Sequence, residues 1–65
     1  METVKAIKWD VLRVREGLWD LTIWIKHCDR VWDAGIMAVQ SDNEPTMAVA
    51  RCPYCEKELT VVAGR

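Results

Sequence analysis

The sequence predicts a mainly β fold, a small antiparallel sheet of two hairpins. Three features of the pattern lead to this prediction. Residues alternate with a period of two over 18–26, a Glu16-Gly17 step separates two strand-like runs, and the polar stretch 41–45 separates two further apolar runs. Alternation is typical of a half-buried strand, and stretches rich in Gly, Asn, Asp or Pro between such runs are typical of turns.

Residues 7–15 and 18–26 form the first predicted hairpin. The first strand belongs to a longer run, 4–15, in which apolar residues mix with charges at short intervals. This pattern favours a strand with one face in water. Glu16-Gly17 supplies the tight turn, although Asn-Gly or Asp-Gly would be a stronger turn signal. The alternating apolar positions of the second strand are Trp19, Leu21, Ile23 and Ile25.

Residues 31–40 and 46–51 form the second predicted hairpin. Both runs are largely apolar, and the loop Ser41–Pro45 at the tip consists of polar turn formers followed by proline. A last short strand is predicted after Cys55, where Leu59, Val61 and Ala63 occupy alternate positions.

A helix over about residues 18–34, packed on a small sheet, is the alternative. Apolar residues recur there at spacings of three and four, and Gly35 would end the helix. Periodicity alone does not separate the two interpretations. The β-branched residues Thr22, Ile23 and Ile25 favour strands. The recurring positions are Leu18, Leu21, Ile25, Cys28 and Trp32.

The length of 65 residues predicts one small domain, 1–65. Domains of this size often need a staple such as a metal, a disulfide or a partner chain. The odd number of cysteines, three, argues against a secreted disulfide framework and favours a reduced compartment. With no signal peptide and no apolar run long enough to span a bilayer, we expect a cytoplasmic protein that does not bind membranes.

Cys52-Pro53-Tyr54-Cys55 is the strongest chemical motif in the chain. A Cys-x-x-Cys turn places two sulfurs on one side of the backbone and supplies two of the four ligands that a structural zinc ion requires. The other soft or imidazole ligands available are His27 and Cys28.

The run from Arg51 to Leu59 resembles the second knuckle of a zinc ribbon, which usually reads Cys-Pro-x-Cys-Gly-x-x-Leu. Upstream, Cys28, Trp32 and Ala34 resemble the end of a first knuckle. The resemblance covers about residues 23–63. It implies a zinc-ribbon-like C-terminal half and one structural Zn²⁺ held by Cys52, Cys55 and Cys28.

The chain departs from the ribbon pattern at two positions. Glu56 stands where ribbons prefer glycine, and Ile25 stands where the first knuckle would have its first cysteine. His27 is the candidate for the vacant ligand position, and using it beside Cys28 requires an unusual backbone bend at one of them. Two alternatives remain: a ribbon without metal, or a dithiol redox site as in glutaredoxins. No βαβ unit fits around the motif, which disfavours the redox site.

No catalytic set is present in the sequence, so we expect no enzyme activity. The chain has one histidine, no glycine-rich phosphate loop and no His-Glu-x-x-His. The favoured hypothesis is a small regulatory or adaptor protein that binds a larger protein, such as an enzyme or the transcription machinery.

The alternative hypothesis is a nucleic-acid-binding or transcription-associated zinc-ribbon module, which the net charge of −1 disfavours. A homodimer is a variant of the first hypothesis. Trp24, on the opposite face of its strand from Leu21 and Ile23, is the best candidate for an exposed tryptophan. The candidate partner-binding residues are Trp24, Trp9, Arg13 and Arg15.

Overall fold

Six β-strands make up the computed structural model, which describes residues 2–64. The prediction of a mainly β fold is confirmed. Residues 18–34, for which a helix was the alternative, are strand on both sides of a tight turn. No helix in the described residues is long and apolar enough to cross a membrane. The strands are β1 (Glu2–Lys5), β2 (Lys8–Arg15), β3 (Leu18–His27), β4 (Arg30–Gln40), β5 (Met47–Arg51) and β6 (Glu58–Val62).

The strands form two three-stranded sheets. One has the order β2-β3-β4 and is antiparallel; the other has the order β1-β6-β5, with β1 parallel to β6. The run 4–15, expected to form one strand, changes sheets at its bend. The Ala6 N–H donates to the Val62 carbonyl in one sheet, and the Ile7 N–H donates to the Trp24 carbonyl in the other. The chain therefore passes from one sheet to the other at the bend between β1 and β2.

The core lies between the two sheets. In β3, the alternation seen in the sequence puts Leu21, Ile23 and Ile25 in the interior, each fully buried. Leu59 and Val61 of β6 are also fully buried and belong to the same cluster. Burying side chains of this size stabilises the fold by about 1.5–3 kcal/mol each.

The predicted first hairpin is confirmed as β2-β3, but the second predicted hairpin, 31–40 with 46–51, is wrong. β4 pairs with β3 and β5 pairs with β6, so the two runs lie in different sheets. The reason is the length of the connections. The two-residue turn 28–29 brings β4 against β3, and the turn 52–57 brings β6 against β5. The loop 41–46 is longer than the turn 28–29 and does not impose pairing between β4 and β5.

Candidate metal centre

Two turns, one from each sheet, bring the four predicted ligands together. His27 ends β3 and Cys28 begins the turn to β4, while Cys52 and Cys55 lie in the turn from β5 to β6. One ligand atom from each residue lies within 4.8 Å of the others. The sequence therefore identified the complete set of close soft and imidazole donors.

The β3–β4 turn has two residues, Cys28 and Asp29, between the paired residues His27 and Arg30. Both turn residues have positive φ, 56° and 57°. Positive φ at both central positions defines a type I′ turn, the connection that matches the twist of a hairpin. This is the backbone bend that adjacent ligands require, and it directs the Cys28 thiol toward the second turn.

The β5–β6 turn, residues 52–57, is called the knuckle turn below. Its backbone is closed by the Glu56 N–H donating to the Cys52 carbonyl at 2.8 Å and the Cys52 N–H donating to the Lys57 carbonyl at 3.0 Å. Glu56 has φ 64°, the left-handed conformation that glycine adopts without strain. The chain therefore forms the knuckle geometry with glutamate in the place of glycine.

Distances among the donors match the edges of a zinc tetrahedron. Cys52 Sγ lies 3.8 Å from Cys28 Sγ, and His27 Nδ1 lies 3.3 Å from Cys28 Sγ and 3.7 Å from Cys55 Sγ. A tetrahedron with Zn–S of about 2.3 Å and Zn–N of about 2.0 Å has S···S edges of about 3.8 Å and S···N edges of about 3.5 Å. The sulfurs are free thiols, too far apart for a disulfide.

Glu2 contacts the candidate site and was missed by the sequence interpretation. Its Oε2 lies 3.1 Å from His27 Nε2, so Nδ1 is the nitrogen that faces the sulfurs. Metal-ligating histidines usually donate their other ring N–H to a carboxylate or carbonyl, which fixes the ring orientation. Glu2 lies 25 positions before His27 and reaches it through β1, and nothing in the local sequence indicates this pairing.

The four donors differ in exposure. Cys52 is fully buried, His27 and Cys55 are half-buried, and Cys28 is exposed. Arg30, beside the first turn, lies over the Tyr54 ring of the knuckle turn at 5.0 Å from its centroid. This cation–π contact links the two turns at the surface.

Backbone hydrogen bonds stabilise the Cys52 thiolate. Burial alone would raise its pKa, but the N–H groups of Cys55 and Tyr54 and a hydrogen bond from His27 outweigh burial and lower the pKa to about 6. A hydrogen bond to the Cys52 side chain, opposed by burial and assisted by Glu2, raises the pKa of His27. A hydrogen bond with the Cys55 side chain, followed by burial, raises the pKa of Cys28 to about 11.

The four candidate partner-binding residues do not form one site. Trp24 is exposed on the face of β3 opposite the core, as expected. Trp9 is half-buried and packs against the core from β2. Arg13 and Arg15 are exposed at the far end of β2, in register with Trp19 and Leu18 and distant along the strand from His27.

Comparison with known proteins returns no relative. No family model matches the chain, and no curated protein or solved structure matches it significantly. The findings on this chain are therefore a mainly β fold and a Cys/His cluster with the spacing of a metal site.

Proposed function

We propose that the protein is a non-enzymatic adaptor or regulatory module that binds a larger protein and is held in shape by one structural zinc ion. Three thiols and an imidazole are the donor set that zinc prefers in structural sites. Iron and copper also accept such donors. The zinc-ribbon-like knuckle turn and the tetrahedral spacing favour zinc. Three reduced thiols at the site also favour the cytoplasm as its location.

The donor count favours a structural role over a catalytic one. Catalytic zinc sites keep one position for water or substrate, whereas four protein donors complete the tetrahedron. Here Cys52, the most enclosed donor, is fully buried, and all four donor atoms face one another. A metal held in this way has no open position at which to activate a water molecule.

A cleft between β4 and β5 is the observation that carries the protein-binding part of the proposal. β4 pairs with β3 alone and β5 with β6 alone among the described strands, so each has one free edge. A cavity of about 350 Å³ lies between these strands. Its lining residues are Trp32, Asp33, Ala34, Met37, Val49, Ala50, Arg51 and Pro53.

Trp32 gives the cleft an unsatisfied donor. Trp32 is only 7% exposed, and its Nε1 has no hydrogen-bond partner among the described residues. A buried donor without an acceptor costs about 1–3 kcal/mol. The Nε1 atom is itself covered, so an acceptor on a ligand would remove this cost only if the Trp32 ring turned toward the cleft.

An extended peptide segment fits these features better than a small molecule does. Free strand edges pair with an added strand through main-chain hydrogen bonds, and flanking pockets take alternate side chains. A backbone carbonyl of that segment would supply the acceptor once the Trp32 ring turned toward it. Asp33 and Arg51 line the same cleft. They offer contacts to basic and to acidic side chains of the peptide, respectively.

Selection from a random peptide library on the zinc-loaded protein tests this function. We expect a family of extended, β-prone peptides whose affinity falls about fivefold or more for Trp32→Phe, which keeps the ring and removes the N–H. Trp24→Phe, on the opposite face of the same sheet, is the matched control and should bind unchanged. Peptides that bind both variants as well as the unsubstituted protein, or no selected peptides, would contradict the proposed cleft.

A further inference from the structure

The outward-facing side of the β2-β3-β4 sheet, called the outer face below, carries large apolar residues in water. Leu12 is 66% exposed, Ile36 75% and Trp24 37%. These residues lie on the side of the sheet opposite Leu21, Ile23 and Ile25, which fill the core. Contiguous apolar patches on a soluble chain commonly mark an interaction site.

The strand register separates four charges at the centre of the outer face, on β2 and β3, into two halves. Along β3 the outward positions are Asp20, Thr22, Trp24 and Lys26 in that order. On β2, Asp10 is paired with Thr22 and Lys8 with Trp24. Of these four charged residues, Asp10 and Asp20 lie on one side of a line between Thr22 and Trp24, and Lys8 and Lys26 lie on the other. Two charges depart from this separation: Asp33 of β4 is paired with Trp24 on the basic side, and Arg15 is paired with Leu18 beyond Asp20.

A shallow hollow lies in the acidic half. Its volume is about 170 Å³. The outer-face residues that line it are Asp10, Leu12, Asp20, Thr22 and Ile36. The lining is mainly apolar and includes two acidic residues, and Trp24 lies two residues along β3 from Thr22.

We propose that a second copy of this chain covers the outer face, so that the protein is a twofold homodimer of stacked sheets. The twofold axis lies in the interface, runs perpendicular to the strands and passes between Thr22 and Trp24. It places the acidic half of one outer face against the basic half of the other. Trp24 then enters the hollow beside the partner's Thr22. Interfaces with this symmetry use the same patch on both subunits.

Charge complementarity argues for a second copy as the occupant. The same axis brings Lys26 opposite the partner's Asp20 and Lys8 opposite the partner's Asp10. Within one chain Lys8 and Asp10 already lie 3.6 Å apart, and both are well exposed. In the dimer the two β2 pairs become one four-charge group beside the two buried tryptophans, the residue type most enriched in binding hot spots. The two Lys26–Asp20 pairs lie at opposite ends of β3, and Asp33 faces the partner's Ile36 on the β4 side. The dimer uses outward side chains of β2 and β3 and Ile36 of β4, whereas the cleft uses the edges of β4 and β5; Asp33 borders both surfaces.

Sedimentation velocity and native mass spectrometry of the zinc-loaded protein test the dimer. We expect a dimer whose dissociation constant rises tenfold or more for Lys26→Glu and for Asp20→Lys, since each substitution places like charges opposite each other twice. Trp24→Ala should weaken it at least as much. Lys5→Glu and Asp42→Lys make the same charge changes away from the outer face and should leave it unchanged.

Mixing the two weakened variants gives the decisive result. In a heterodimer of Lys26→Glu with Asp20→Lys, every contact again joins opposite charges, so we expect the mixture to dimerise where each variant alone is monomeric. Misfolding of either variant would not produce this recovery. A monomer at about 1 mM protein, a dimer insensitive to Trp24→Ala, or no recovery on mixing would overturn the proposal. Peptide binding in the cleft is measured separately and does not depend on the outcome.

Discussion

Glu2 shows how a single remote residue sets the chemistry of the site. Its carboxylate contacts His27 Nε2 and leaves Nδ1 for the sulfurs. Glu2 itself is half-exposed and has no place in the ligand motif. Its role depends on β1 pairing in parallel with β6, with Glu2 in register with Leu59. Outer contacts of this kind orient a ligand before the metal binds.

We expect Glu2→Gln to lower zinc affinity by about tenfold, because a neutral amide holds the imidazole less strongly than a carboxylate does. Competition with a chromophoric zinc chelator measures the change. Glu44→Gln, an exposed acid in the loop 41–46, is the control and should bind zinc with unchanged affinity. Equal affinities for Glu2→Gln and the unsubstituted protein would show that His27 needs no orienting partner.

Zinc affinity should fall as the pH is lowered, because protons and the metal compete for the same atoms. The raised pKa of Cys28, about 11, means that its thiol is protonated near neutral pH, and zinc must displace that proton. Cys52, with a pKa of about 6, is mainly thiolate above that pH and adds a further competing proton below it. His27, whose pKa is raised, adds another as the pH falls. Each displaced proton weakens binding about tenfold per pH unit. The zinc affinity, measured by chelator competition from neutral to acidic pH, should therefore fall with a slope that steepens below about pH 6. A constant affinity across that range would contradict the ligand set.

Both turns that hold the site contain strained residues. The non-glycine residues with positive φ in the described chain are Cys28, Asp29 and Glu56, and all three lie in these two turns. Such a conformation costs about 1–2 kcal/mol for an ordinary L-residue. Strain persists where surrounding structure over-determines it. Here, the strand register on either side and the ligand geometry require both turns.

Glu56→Gly should stabilise the zinc-loaded protein by about 0.5–1 kcal/mol. Glycine removes the strain at φ 64°, and this gain exceeds its entropic cost and the loss of the exposed Arg51–Glu56 ion pair at 3.8 Å. Urea unfolding at saturating zinc measures the change. Glu58→Gly, at an exposed position within β6, should destabilise by a similar amount. The same sign for both substitutions would contradict strain at Glu56.

The candidate metal site lies where the two sheets of the molecule meet. His27 and Cys28 come from the β2-β3-β4 sheet, and Cys52 and Cys55 come from the turn of the other sheet. Fully buried side chains between the sheets are few, and the largest are aliphatic residues. A chain of this size has little stability to spare, so a metal that links its two halves contributes directly to folding.

Removal of zinc should therefore unfold the protein. We expect a chelator to abolish the near-ultraviolet circular dichroism of the packed tryptophans, and added zinc to restore it, because metal-binding and folding free energies are coupled. Native mass spectrometry should show one zinc ion per chain before chelation. Cys52→Ser removes the most buried thiol donor and should reproduce the metal-free state. A chelated protein with an unchanged spectrum would show that the core alone maintains the fold.

Local patterns in the sequence were sufficient for most of the strands and for naming the Cys/His residues that the structure brings together. The alternation around Leu21 and Ile23 predicts a buried strand face, and Cys-x-x-Cys predicts a turn. Both predictions depend only on residues that are near neighbours in the chain. Strand pairing and the Glu2–His27 contact were decided by tertiary structure. They depend on how β1 crosses between the sheets and on which turns are short, so residues far apart in the chain meet without any local signal. The outer face depends on both sequence and tertiary structure. Its exposed tryptophan was predicted from alternation, whereas its charge pattern arises only when β2 and β3 come into register.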